Sequence, residues 1–241
     1  MLSFWAIGSD LGNVLCDFHE SIYKIVRAER NNGLAANLNH LFASLDGENI
    51  VFRQDADDIS ISTRFAAQIR FFRENPDIGV LGGNVIEFKG DATSFESRGM
   101  ERKYPSTHKK CVAALAWGSP FAHPSVAFNL RAISGNVRYP AVSPNEDIAL
   151  WFDLANRGVR FANIDAPLVY YRLARSTIAR RGHQKAFSEL LVYLTGIWAL
   201  RGFSPHLFIP IARFVFRLLP APIVARVYNC TNLRNFILSK R

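Results

Sequence analysis

The 241-residue chain is poor in cysteine: Cys16, Cys111 and Cys230 lie far apart, and no CxxC pair occurs. Neither a zinc knuckle nor a disulfide framework is supported, and a reducing compartment is the natural expectation. No secretory leader is expected either, because MLSFWAIGSD has no basic n-region and too short an apolar stretch. Long uncharged apolar runs are also lacking. The longest uncharged stretches of the apolar region 190–228 are residues 190–200 and 202–212. Each is about half of the roughly twenty residues that a membrane span needs. Internal repeats and low-complexity tracts are absent. Acid is scarce in one place: residues 172–241 hold 12 Lys+Arg against the single acid Glu189, whereas residues 1–171 hold 17 Lys+Arg against 19 Asp+Glu. The net charge of +9 therefore belongs to the tail. A protein that coats nucleic acid spreads its basic residues over the fold. Here they sit in an apolar segment, which points to an anionic membrane surface and away from nucleic acid.

What is present suits a globular body. With 49% hydrophobic and 20% charged residues the chain can bury a real core. The length fits one α/β domain with a smaller appendage, placed at 1–182 and 183–241. In the appendage Arg201, Arg213, Arg217 and Arg226 interrupt the apolar run, and Pro205, Pro210, Pro220 and Pro222 cut it into short pieces. Arg213 and Arg217 are four apart and share a helix face. Two readings fit: amphipathic helices lying in a membrane interface with arginines at the headgroups, or a helical subdomain packed on the core.

Along the chain, residues 23–29 alternate like a strand and end in a turn at Asn31-Asn32-Gly33. Leu34, Leu38, Leu41, Phe42 and Leu45 recur at helical spacing, predicting a helix over 33–45. ENIVF then reads as a short strand. A helix follows over 63–75, with Ser62 or Thr63 as its cap and Asn75-Pro76 as its stop. Residues 78–88 read as a buried strand, 89–110 as a loop, 125–130 as a strand and 131–145 as a loop. A helix over 146–158 stops at Gly158, and 159–164 and 167–173 read as two strands. This alternation predicts an α/β fold with a mainly parallel sheet.

The string Asp55-Ala56-Asp57-Asp58 puts three carboxylates in four residues at the carboxyl end of a strand, where α/β sheets bind ligands. Such groups repel one another unless a cation offsets them. On an extended chain Asp55 and Asp57 point to the same side and can address one ion; an oxygen-only set suits Mg²⁺ or Mn²⁺. A solvated acidic turn is the plain alternative. Glu146-Asp147 opens the helix that carries Trp151. The helix dipole favours carboxylates there, and one so fixed is also a plausible general base. His123-Pro124-Ser125 follows an apolar stretch, and Arg180-Arg181 lies near His183. A lone histidine is more often structural, and an exposed basic run is more often solvated.

In order and spacing these motifs resemble the family 2 glycosyltransferases of GT-A (Rossmann-like) fold, notably bacterial enzymes of exopolysaccharide and lipopolysaccharide assembly such as those of amylovoran biosynthesis. The resemblance covers roughly residues 22–182 and rests on residues 31–39, 51–83, 123–129 and 146–172. It implies an inverting transferase that moves a sugar from a UDP-sugar to a lipid-linked saccharide at the inner face of the cytoplasmic membrane. By the resemblance Asp55, Asp57 and the adjoining Asp58 hold Mn²⁺ or Mg²⁺ against the donor diphosphate. Asp147, with Glu146 beside it, is the base for the acceptor hydroxyl. Asn32, Gly33 and Leu34 border the nucleotide pocket, and Arg53 and Gln54 lead into the metal motif. Arg172, and more weakly Arg175, reach the diphosphate. His123 and Trp151 lie on the acceptor side. The family opens with a strand, a helix and a second strand; here MLSFWAIGSDLG stands for the second strand, with Asp10 near the base-reading position. The first strand and helix, on the order of 35–40 residues, are expected to be absent. That leaves an alternative: a truncated or degenerate, non-catalytic relative that binds a membrane or a partner.

Overall fold

The computed structural model describes residues 32–88, 98–142, 144–173 and 183–218. The strand expected over 23–29, Asp10, Arg175, Arg180-Arg181 and the tail beyond 218 lie outside the described residues.

Helix α1 (Leu34–Ala43) leaves Gly33 at φ 83°, a conformation open to glycine without a Cβ penalty. Strands β1 (Ile50–Phe52) and β2 (Ile59–Ser60) flank the acidic string. Helix α2 (Arg64–Glu74) leads into β3 (Ile78–Phe88), followed by β4 (Arg98–Arg102) and helix α3 (His108–Ala114). A single 3₁₀ turn over His123–Ser125 precedes β5 (Ala127–Asn129). Helix α4 (Glu146–Asn156) ends at Gly158, whose φ of 77° and bond to the Ala155 carbonyl close the last turn. Strand β6 (Arg160–Arg172), helix α5 (His183–Arg201) and helix α6 (Phe208–Leu218) follow.

The strands form one sheet in the order β1-β5-β3-β6-β2, with β4 on β3. The pair β3–β6 is parallel, and the other pairs among the described residues are antiparallel. The expectation of a mainly parallel sheet is thus corrected to a mixed one. Of the antiparallel pairs only β3–β4 joins consecutive strands; β1–β5, β3–β5 and β2–β6 join segments distant in the chain, whose direction no local alternation of strand and helix announces. Residues 159–164 and 167–173 were expected as two strands. They are one, because the register against β3 slips between Gly83 and Asn84 and absorbs Asp165 and Ala166 as a bulge. The stretch expected as a loop over 89–110 contains β4 and the start of α3. Thr63 sits at the N-cap of α2 but makes no side-chain capping bond.

Both faces of the sheet are covered. Val80, Phe128 and Phe161 point into the main core with Leu115, Trp151 and Leu154, whereas their neighbours Leu81, Ala127 and Ala162 point to the other side with Phe72 of α2. Helices α1, α3, α4 and α5 cover the first face and α2 the second, and β3 is buried along nearly all its length. Gly82 is required by close approach: a Cβ there would stand 2.3 Å from Asn163 Oδ1 and 2.8 Å from the Phe121 ring. Of the two readings of the C-terminal segment, the described part of α5 is core. Val192, Tyr193 and Ile197 are buried in the main cluster, and Gly196 lies flat against the Phe152 ring.

Candidate active site

The carboxyl end of β1 feeds the acidic string, and the string is a turn, not an extended chain: the Asp58 amide donates to the Asp55 carbonyl (3.3 Å). Asp55, Asp57 and Asp58 are brought together by that turn, and one carboxylate oxygen from each lies within 4.8 Å of the others. Turn geometry, and not alternation along an extended strand, makes them converge.

Each carboxylate has a different surrounding. Asp55 is gripped by the buried Arg53 guanidinium through both oxygens, a two-pronged ion pair. Asp57 is exposed, and its carbonyl accepts from Arg172 Nε (2.8 Å). Asp58 Oδ1 accepts the Arg172 backbone N–H (2.7 Å), which ties the end of β6 to the string, and its buried Oδ2 has no partner among the described residues. Burial is the main reason that the Asp58 carboxyl rises to about 6, with Asp55 and Asp57 adding repulsion and the Arg172 amide and Arg53 opposing. An oxygen-only donor set with a buried, unpartnered lone pair fits a hard divalent cation such as Mg²⁺ or Mn²⁺.

Asp147 lies in the first turn of α4. Burial pushes its carboxyl above the ordinary range, Glu146 adds to this, and the first-turn N–H groups and Arg53 oppose. Glu146 folds back and accepts from the Asn145 amide (3.0 Å). Asn145 itself has φ 125°, the only non-glycine residue with positive φ among those described. Arg53 is thus within electrostatic reach of both Asp55 and Asp147, and also of His123 and Tyr139. Arg53 therefore pairs directly with Asp55 and is felt electrostatically by Asp147, so the acidic turn and the start of α4 share one guanidinium's field.

His123 Nε2 is hydrogen-bonded to the Tyr139 hydroxyl (2.9 Å), and burial holds the imidazole neutral, well below its usual range. Trp151 is fully buried and packs on His123, Phe121 and Phe128. Its expected place on the acceptor side is corrected: helical periodicity turns position 151 toward the core, so it supports His123 from behind. Asn32 and Gly33 are exposed before α1, whose Asn39 clamps Tyr139 with two bonds, Nδ2 to the Tyr139 carbonyl (2.8 Å) and Oδ1 from its amide (2.7 Å). The Arg172 guanidinium also lies over the Phe88 ring, 5.1 Å from its centroid, at the rim of the acidic turn. Sequence reading missed Asn39, Tyr139 and the buried Arg64 and Gln68. Their partners are distant or main-chain, and no local pattern announces them.

The model of glycosyl transferase family 2 matches residues 10–137. An uncharacterized glycosyltransferase of Haemophilus influenzae is 30% identical over 226 residues, 91% of this chain and 81% of that protein. The UDP-Gal:alpha-D-GlcNAc-diphosphoundecaprenol beta-1,3-galactosyltransferase of Escherichia coli is 30% identical over 92% of this chain and 80% of its own length. The amylovoran biosynthesis glycosyltransferase AmsE of Erwinia amylovora is 29% identical over 85% and 76%, respectively. Among solved structures, S. aureus TarS 1–349 superposes with a TM-score of 0.59 at 12% identity, over 89% of this chain and 61% of that one. The mannosyltransferase PcManGT of Pyrobaculum calidifontis, in complex with GDP-Man and Mn²⁺, superposes with a TM-score of 0.54 at 16% identity, over 99% and 74%. The mixed sheet with helices on both faces and the acidic turn at its edge accord with these likenesses, and the chain belongs to glycosyl transferase family 2, a glycosyltransferase of GT-A fold.

Proposed function

We propose that this glycosyltransferase moves a sugar from a UDP-sugar to a lipid-linked saccharide in surface-polysaccharide synthesis, with inversion and with a divalent cation. The observation that carries the reading is the cluster of Asp55, Asp57 and Asp58 in one turn, with Asp58 Oδ2 buried and without a partner among the described residues. The galactosyltransferase relative, whose name gives a UDP-sugar and a diphosphoundecaprenol acceptor, supports the donor and acceptor classes. The complex of TarS with UDP supports a fold that accepts this nucleotide.

In this reading Asp55, Asp57 and Asp58 would hold Mn²⁺ or Mg²⁺, which would supply positive charge for the donor's diphosphate. Arg53 orients Asp55, and Arg172, fixed by Asp57 and Asp58, lends positive charge at the rim. Asn32 and Gly33 border the donor pocket. Asp147 is the general base: it accepts the proton of the acceptor hydroxyl at a carboxylate oxygen, and its raised affinity for protons suits that task. Glu146 and the half-buried His123 shape the acceptor side. One base serves a direct displacement, so no covalent intermediate forms.

A peripheral place on the inner face of the cytoplasmic membrane completes the proposal. No described helix is long and apolar enough to cross a membrane. Helix α6 exposes Phe208, Ile211, Val215 and Leu218, an apolar stripe at helical spacing next to the basic tail. The segment 183–241 is thus proposed to dock on the core through α5 and on lipid beyond it.

The deciding experiment is calorimetric titration of UDP with and without Mn²⁺, beside Asp55→Ala/Asp57→Ala. Metal-dependent binding that the double variant loses supports the reading. A folded chain that binds no UDP is a non-catalytic relative instead.

A further inference from the structure

Arg64 is the first residue of α2 and is fully buried. A cation at a helix N-terminus opposes the helix dipole, and burying it without a carboxylate adds desolvation. Its side chain nevertheless forms no ion pair among the described residues. All five guanidinium donors are instead matched by neutral acceptors. Nε donates to Gln68 Oε1 (3.1 Å), Nη1 to Gln54 Oε1 (2.6 Å) and Ser60 Oγ (3.0 Å), and Nη2 to the Arg53 carbonyl (2.7 Å) and the Val126 carbonyl (3.4 Å). Three of the five acceptors come from the two sides of the acidic turn: residues 53 and 54 enter it, and Ser60 lies two residues beyond it. Gln68 anchors the fork from behind, donating to the carbonyls of Leu81 (3.1 Å) and Ser125 (2.9 Å) in the sheet.

We infer that Arg64 is a positioning residue for the acidic turn, clamping residues 53, 54 and 60 so that Asp55, Asp57 and Asp58 converge on one point. Two features separate this from ordinary core filling. An aliphatic residue would fill the same volume without the cost of a buried charge, so the fork itself is what the site uses. Asp58 is also within electrostatic reach of the guanidinium, which places a fixed positive charge behind three mutually repelling carboxylates. Desolvation and the nearby Arg53 bring the Arg64 guanidinium down to about 10, still charged at neutral pH. Arg64 thus acts through the acidic turn and touches no reacting atom. The role rests on the proposed use of that turn for metal and nucleotide.

The test compares wild type with Arg64→Lys, which keeps the charge but not the fork, and with Arg64→Met, which loses both. Amide hydrogen exchange of residues 53–58 and calorimetric titration of UDP with Mn²⁺ are read at a temperature where each protein is folded. Clamping predicts exchange accelerated selectively at 53–58 and UDP·Mn²⁺ affinity about tenfold weaker in Arg64→Lys, weaker again in Arg64→Met. A uniform rise in exchange, or wild-type affinity in a merely destabilised Arg64→Lys, overturns the inference. Should both variants fail to fold, Ser60→Ala, which removes one peripheral acceptor, is read the same way; exchange at 53–58 unchanged from wild type overturns it. Absence of UDP binding by wild type defeats the functional reading alone, since the exchange pattern still decides the clamp.

Discussion

Gly196→Ala tests whether helix α5 belongs to the body of the enzyme. A Cβ at position 196 would stand 2.3, 2.4 and 2.7 Å from three carbons of the Phe152 ring. That ring is a buried member of the main core, held edge-on by Tyr193, and cannot swing clear as the end of a long side chain would. Overpacking costs about 1–3 kcal/mol, and three contacts this short put it in the upper half of that range, about 2–3 kcal/mol. Replacing glycine by alanine inside a helix returns up to about 1 kcal/mol through propensity. The steric effect wins, because three contacts below 3 Å with one packed ring must all be relieved by moving α5 off α4. A net loss of roughly 1–2 kcal/mol corresponds to a melting temperature lowered by about 3–6 °C for a chain of this size. Circular dichroism melts of wild type, Gly196→Ala, Phe152→Leu and the double variant measure it. With the ring gone the alanine should be tolerated, so the double variant should be more stable than the two single losses add up to. Gly196→Ala at or above wild-type stability would refute the packing of α5 on α4, and with it the assignment of α5 to the core.

Three further outcomes follow from the site. Asp147→Asn should lower kcat/KM by at least about 100-fold while UDP·Mn²⁺ affinity stays nearly unchanged; joint loss of both would remove the base assignment. Asp58, with its carboxyl raised to about 6 from 3.8, gives opposite pH trends. The fold favours its protonated form, so this group's contribution to ligand-free stability is present below pH 3.8 and is lost as pH rises through about 6. Metal needs the ionised form, so UDP·Mn²⁺ binding should weaken as pH falls through about 6; affinity flat from pH 7 to 5 would contradict the triad as ligands. Ile211→Glu/Val215→Glu should reduce sedimentation with anionic vesicles at least about tenfold without changing UDP affinity; unchanged partition would mean that the α6 stripe does not meet lipid.

Much of this protein was legible in its sequence. Periodicity located α1, α2 and α4 to within two residues, since amphipathic helices with a glycine or Asn-Pro stop advertise themselves locally. The acidic string and Glu146-Asp147 stood out because like charges in sequence are visible without a fold, and four ordered motifs carried the family. What the sequence could not supply was which distant groups meet. The mixed sheet depends on pairing between strands far apart in the chain, and the merging of two strands into β6 depends on a bulge that only β3 makes possible. The resemblance puts Trp151 on the acceptor side, but the helix it sits on turns it into the core. The clamp by Asn39 on Tyr139 spans 100 residues, and Arg64 reads as one more helix-surface arginine until its five acceptors are assembled around it. Local pattern is written in residue order, whereas a guanidinium's partners, a carboxylate's burial and the face a helix turns inward are properties of the packed chain.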